Sequence, residues 1–277
     1  MNTSRNSNTP IAISRDIFIP SIYDGILLEA RVTYFRNPKV IKVSELQPVN
    51  SVVISHPYGP LGGNNENNVV IALEHFFLRR GYLTVAFNFR GSGKSQGRNT
   101  WSGEAEAGDY NTMLQFLANC GKDLNSSRII MEIPPIKETI VAGYSYGSLI
   151  ATTLSSITNT SNTSPFPFPI SFILISYPLS VIWFLTFFRG SKYSQHMKSL
   201  LDNNNNCRVL FVYGTSDQFT GVNAYKKWIR ESKVEERSMW SLRELSGVDH
   251  FFFGEGMEEK LLHVLEEWIV GDGNDVT

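Results

Sequence analysis

The stretch that most restricts how this chain can fold is Thr139 to Ser148, TIVAGYSYGS. Its apolar run, Ile140-Val141-Ala142, leads straight into Gly143-Tyr144-Ser145-Tyr146-Gly147, and Leu149-Ile150-Ala151 follows as the start of a helix. A strand that turns into a helix within so few residues has no room for side chains at the turn, so Gly143 and Gly147 flank it. The turn lifts the Ser145 hydroxyl off the sheet edge on a strained backbone. A serine hydroxyl is a weak nucleophile and must be presented to a base and a substrate together. A glycine-rich turn with an incidental serine is the plain alternative. The strand before the turn and the helix after it favour the nucleophile.

Such a serine needs a base, and the base needs an orienting acid. His250 lies in Gly247-Val248-Asp249-His250-Phe251, after the last predicted strand. Sheets covered by helices place their chemistry at strand carboxyl ends, which favours His250 as base over a surface loop histidine. In the loop reading, Phe251, Phe252 and Phe253 would anchor the segment unaided. Asp217, in Tyr213-Gly214-Thr215-Ser216-Asp217, sits just past another predicted strand end and is the candidate acid. Asp249 is the rival, but a residue adjacent to a histidine rarely turns its side chain back onto the ring nitrogen. The backbone N–H of Tyr146 is one expected donor to a developing oxyanion. A second should come from the loop His56-Pro57-Tyr58-Gly59; Pro57 has no N–H, so Tyr58 comes first and Gly59 second. His56 reads as a brace for that loop.

Along the chain, Arg15–Ile19 and Ile26–Phe35 read as a hairpin around Tyr23-Asp24-Gly25. Compact apolar runs at Ser51–Ser55, Leu83–Phe89, Ile170–Tyr177 and Arg208–Tyr213 read as strands, as does Met239–Leu245. Helices fit Asn68–Arg80, Glu104–Asn119 with Gly121 as its stop, Val222–Ser232 and Glu255–Val270. The last carries Leu261, Leu262, Leu265, Trp268 and Ile269 on one face. This alternation predicts an α/β fold with a mostly parallel sheet covered on both faces. Residues 1–13 read as a disordered polar tail and 14–277 as a single domain. The Ser/Thr/Asn/Pro/Phe tract at 158–169 reads as a flexible surface loop, and the four asparagines at 203–206 as a linker tip.

A formal charge of −1 with no basic cluster argues against a nucleic-acid surface. Two cysteines give neither a disulfide framework nor a zinc spacing, which suits a reducing, cytoplasmic setting. The opening residues lack an apolar core, so no secretory signal is expected; Arg5, Arg15 and the early serines leave a mitochondrial presequence as the lesser alternative. Gly91-Ser92-Gly93-Lys94-Ser95 ends like a phosphate-binding loop, but Asn88 stands where the pattern needs its first glycine. It reads as a turn in which Arg90 braces neighbouring loops. Residues 170–188 carry no charge and are long enough for a membrane span. Pro178 splits them into a core strand and an apolar lid, Val181–Phe188, which packs on the body, lines an acyl pocket or touches a membrane surface.

The pieces HPYGPLGG (56–63), FNFRGSGKSQG (87–97), GYSYGS (143–148), YGTSD (213–217) and VDHFF (248–252) span most of the chain. Together they resemble the α/β-hydrolase superfamily, and within it a group of small uncharacterised hydrolases. The order Ser145, Asp217, His250 is the family's order. The resemblance implies an eight-stranded, mainly parallel sheet, those three residues as triad, and a short cap after strand six at about 179–206. The expected activity is hydrolysis of a carboxylic ester or thioester, without cofactor or metal, on a small acyl or lipid-like substrate. A peptidase, an acyltransferase or a non-catalytic binding module on the same fold are the alternatives.

Overall fold

The protein is described by a computed structural model covering residues 9–40, 42–123, 126–155, 166–186, 189–202 and 207–271. Strands β1 (Ile11–Pro20) and β2 (Leu27–Arg36) pair antiparallel over their full length, with Ile11 opposite Arg36. Gly25 makes the turn between them at φ +80°, where a side chain would be strained. The sheet therefore begins at Ile11, and residues 11–13 belong to it instead of to the expected polar tail. Backbone pairing with β2 holds them there, and Ile13 also packs against the core, whereas Ile11 is 48% exposed. Residues 1–8 lie outside the described residues.

After this hairpin come β3 (Val49–Ser55), α1 (Asn68–Arg79), β4 (Leu83–Phe87), α2 (Glu104–Ala118) and β5 (Ile136–Tyr144). Then follow α3 (Tyr146–Ala151), β6 (Ile170–Ile175), α4 (Ile182–Leu185), α5 (Gly190–Asp202) and β7 (Val209–Gly214). The described chain ends with α6 (Val222–Ser232), β8 (Trp240–Leu245) and α7 (Met257–Val270). The sheet has eight strands in the order β1-β2-β4-β3-β5-β6-β7-β8. From β4 to β8 every pairing is parallel. The expected eight-stranded, mainly parallel sheet is what forms.

Two-sided cover explains the apolar runs. Val53, Val85, Val141 and Phe211 face one core, closed by Met113 of α2, Leu149 of α3, Met197 of α5 and Tyr225 of α6. Their neighbours Val52, Ala86, Ala142 and Leu210 face the other, closed by Leu73 of α1 and Leu261 and Leu265 of α7. Helix α7 buries Leu261, Val264, Leu265 and Trp268, a one-face spacing, while Leu262 and Ile269 pack at its margin. Each fully buried leucine contributes about 1.5–3 kcal/mol. Helix α2 stops where Gly121, at φ +80°, donates its N–H to the Phe116 carbonyl at 2.9 Å.

The cap region differs from expectation at one end. Residues 156–165 of the low-complexity tract lie outside the described residues, but Phe166 and Phe168 are buried in the core with rings stacked at 5.9 Å. The tract thus ends on an anchor, not on a loose surface loop. Beyond β6, α5 buries Tyr193, Met197, Leu200 and Leu201. In the apolar segment Ile182 and Leu185 are buried, whereas Trp183 and Phe184 are more than half exposed. Phe187, Phe188 and residues 203–206 lie outside the described residues. Among the described residues no helix is long and apolar enough to cross a membrane.

Candidate active site

Strand β5 delivers Ser145 at its end, with φ 54° and ψ −117°. A serine rarely adopts that backbone, and here the neighbours impose it. A Cβ on Gly143 would lie 2.5 Å from the backbone of Gly147 and Ser148. One on Gly147 would lie 2.5 Å from Ser55 Oγ and 2.7 Å from the His56 carbonyl oxygen. Both glycines are therefore obligatory for β5, β3 and α3 to meet this closely. The Ser145 N–H donates to the Ile175 carbonyl at 2.8 Å, tying the turn to β6.

The loop after β7 carries Asp217. Its Oδ1 accepts the N–H groups of Phe219 and Thr220, each at 2.8 Å, so the loop's own backbone fixes the carboxylate. Its Oδ2 lies 2.8 Å from His250 Nδ1. On the other side of the ring, His250 Nε2 lies 2.9 Å from Ser145 Oγ. With Asp217 ionised, Nδ1 carries the ring proton, and the Nε2 lone pair faces the serine hydroxyl. All three residues are buried, at 4–7% exposure, so few waters compete for these bonds.

Asp249 sits elsewhere: its Oδ1 accepts the N–H groups of Phe251 and Phe253, each at 3.1 Å, and caps its own loop. Three contacts that position His250 carry no local sequence signal. Tyr144 donates its hydroxyl to the His250 carbonyl at 2.7 Å. Gln218 Oε1 accepts the His250 N–H at 3.0 Å, and Asn68 Nδ2 donates to the Phe251 carbonyl at 3.0 Å. Each joins segments distant in sequence.

Tyr146 is the first residue of α3, so its N–H has no acceptor inside the helix. Its ring meets that of Tyr58 edge-on at 5.1 Å, which sets the loop after β3 beside the serine turn. His56 is fully buried beneath that loop. Its Nδ1–H donates to the Pro57 carbonyl at 2.6 Å, and Nε2 accepts the Phe89 N–H at 3.0 Å. Burial pushes its pKa down to about 4, so the ring is neutral and acts as a brace. Arg90, beyond the end of β4, grips Asp109 of α2 through Nε at 2.9 Å and through Nη2 at 2.7 Å. Its Nη1 reaches Asp24 of the hairpin turn at 2.9 Å. Lys94, in the segment with the phosphate-loop ending, gives its backbone N–H to Glu29 Oε2 at 2.7 Å within a tight turn.

A cavity of about 100 Å³ opens beside Ser145 and His250. Tyr58, Val181, Leu185, Phe219, Phe251 and Phe253 form its apolar walls. Among the described residues no three His, Cys, Asp or Glu side chains cluster as metal ligands would.

The sequence model of the X-Pro dipeptidyl-peptidase (S15) family matches residues 24–157, which include Ser145 but neither Asp217 nor His250. No curated protein matches the chain. Solved structures match it nearly end to end. An alpha-beta serine hydrolase homologue from Coxiella burnetii is 24% identical with a TM-score of 0.61, over 91% of this chain and 95% of that one. The chain has the α/β-hydrolase fold. Two further structures with this fold are an esterase from Pyrococcus furiosus and Est1E from Butyrivibrio proteoclasticus, the latter with ferulic acid bound. The first is 18% identical with a TM-score of 0.57, covering 92% of this chain and 93% of its own. The second is 15% identical with a TM-score of 0.61, covering 92% and 98%. These α/β-hydrolase-fold relatives agree with the strand order and with the sequence resemblance.

Proposed function

We propose that the protein is a serine hydrolase that cleaves a carboxylic ester or thioester through an acyl-enzyme on Ser145. The observation that carries this reading is the unbroken contact line Asp217 Oδ2, His250, Ser145 Oγ at 2.8 and 2.9 Å. Ser145 Oγ attacks the carbonyl carbon and passes its proton to His250 Nε2. Asp217 holds the ring and stabilises its charged form. The N–H groups of Tyr146 and Tyr58 receive the developing oxyanion. The bond to the leaving oxygen or sulfur breaks, and His250 returns the proton to it. Water then attacks the acyl-enzyme, giving its proton to the same nitrogen, and the acid leaves as Ser145 recovers its own. The pocket supports an uncharged acyl group, since apolar side chains form its walls.

The family match favours a peptidase as second reading. Release of a dipeptide requires holding a chain's ammonium group, and the described residues lining the pocket include no Asp or Glu. That supports the ester reading. A fluorophosphonate probe followed by peptide mapping tests both readings together with a non-catalytic one. We expect a single label on Ser145, lost in Ser145→Ala along with turnover of short-chain esters. A folded protein that resists the probe at neutral pH is no serine hydrolase, and one that cleaves X-Pro anilides faster than esters is a peptidase.

A further inference from the structure

The segment Phe251-Phe252-Phe253 does two jobs, split by its backbone. Phe252 has φ +56°, a left-handed conformation that a phenylalanine rarely takes. Its ring is 3% exposed and packs into the core edge-on to Tyr144 at 6.1 Å. Phe252 alone is thus the anchor. Phe251 and Phe253 are left on the outside, 39% and 65% exposed, where they line the pocket. Their rings stack at 5.6 Å and 13°. Phe219, from the acid loop, meets Phe251 edge-on at 5.7 Å and the His250 ring at 4.6 Å. A continuous ladder of aromatic rings therefore runs from the imidazole out to solvent.

The direction of this ladder has a chemical meaning under the hydrolase reading above, on which this inference rests. His250 delivers the proton taken from Ser145 to the leaving oxygen as the acyl carbon–oxygen bond breaks. The leaving group must therefore lie on the His250 side of the serine. The loop after β3 and the cap residues Val181 and Leu185 are left to the acyl group. We propose that Phe219, Phe251 and Phe253 form the leaving-group subsite, and that the substrate is an ester whose alcohol part carries an aromatic ring one or two carbons from the oxygen. Hydrolysis would release that arylalkyl alcohol and the free acid. A planar ring matches the exposed phenyl pair because stacked and edge-on aromatic contacts gain beyond their buried area.

The test compares benzyl, cyclohexylmethyl and ethyl butyrate, which share an acyl group and have alcohols of similar acidity. We expect kcat/KM for benzyl to exceed that for cyclohexylmethyl by about two- to tenfold. In Phe253→Leu and Phe251→Leu that ratio should fall toward one. Phe253 is mostly solvent-exposed, so its replacement should leave thermal unfolding unchanged and keep the comparison valid. A wild-type ratio of one or less, or a ratio that both leucine variants preserve, overturns the subsite while Ser145 still takes the fluorophosphonate label. Loss of labelling and of all ester turnover in the folded wild type overturns the hydrolase reading itself.

Discussion

Asp217 receives donors on both oxygens: Phe219 and Thr220 N–H on Oδ1, His250 Nδ1 and the Tyr225 hydroxyl on Oδ2. Replacing it with asparagine preserves the shape but puts an amide where the imidazole proton must be accepted, favouring the wrong tautomer. We expect Asp217→Asn to lower kcat by about 1,000- to 10,000-fold, with thermal stability little altered. Asp249→Asn keeps an oxygen able to cap Phe251 and Phe253, so its activity should stay within about threefold of wild type, the limit set by an altered surface-loop bond. Steady-state ester hydrolysis by both variants decides the matter, and a crippled Asp249→Asn beside a normal Asp217→Asn reverses the assignment. Residues at this scale were legible when a backbone need marked them. Ser145 has its two glycines, and Asp217 and His250 stand at strand ends. Tyr144 holding the His250 carbonyl was not legible, because the bond spans 106 residues and any tyrosine in a strand looks alike.

Between elements, Arg90 is a buried polar tie. It is 4% exposed and joins the end of β4 to α2 and to the hairpin turn through Asp109 and Asp24. Asp109 is fully buried, so removing the guanidinium strands a charge. We expect Arg90→Leu to cost about 3–5 kcal/mol in urea unfolding, and the double variant with Asp109→Leu to recover most of it. Equal loss in single and double variants would mean that packing of the arginine stem dominates. The sequence marked Arg90 as a brace because the glycine turn after it cannot hold a phosphate. It did not mark the anchoring of Phe166 and Phe168, where composition suggested a loose loop. Two aromatic residues at the end of a polar tract are read by the core they reach, and that core is built from strands on either side of the tract. The start of β1 was missed although Ile11, Ile13, Ile17 and Ile19 alternate, because Arg15 and Asp16 interrupt the pattern and only pairing with β2 shows that it continues back to Ile11.

For the molecule as a whole, His56 links stability to pH. Its pKa of about 4 in the fold lies below the ordinary 6.5 of an unfolded chain. Above pH 6.5 both states leave it neutral and its contribution is complete. Between 6.5 and 4 the unfolded chain binds a proton that the fold refuses, so stability declines as pH falls, by up to about 3 kcal/mol. Below 4 the loss levels off. We expect His56→Gln to flatten this slope in thermal unfolding between pH 7 and 4, whatever its effect on stability at pH 7; an unchanged slope would assign the pH response to other groups. The same long-range construction governs when the site comes into being. Ser145 and His250 are 105 residues apart, and His250 arrives only with the loop behind the final strand. A chain folding from its amino end thus completes the serine turn well before anything can deprotonate it. If the protein is the hydrolase proposed above, its reactivity hangs on its last strand, since the pairing of β8 with β7 is what sets the His250 loop beside Ser145.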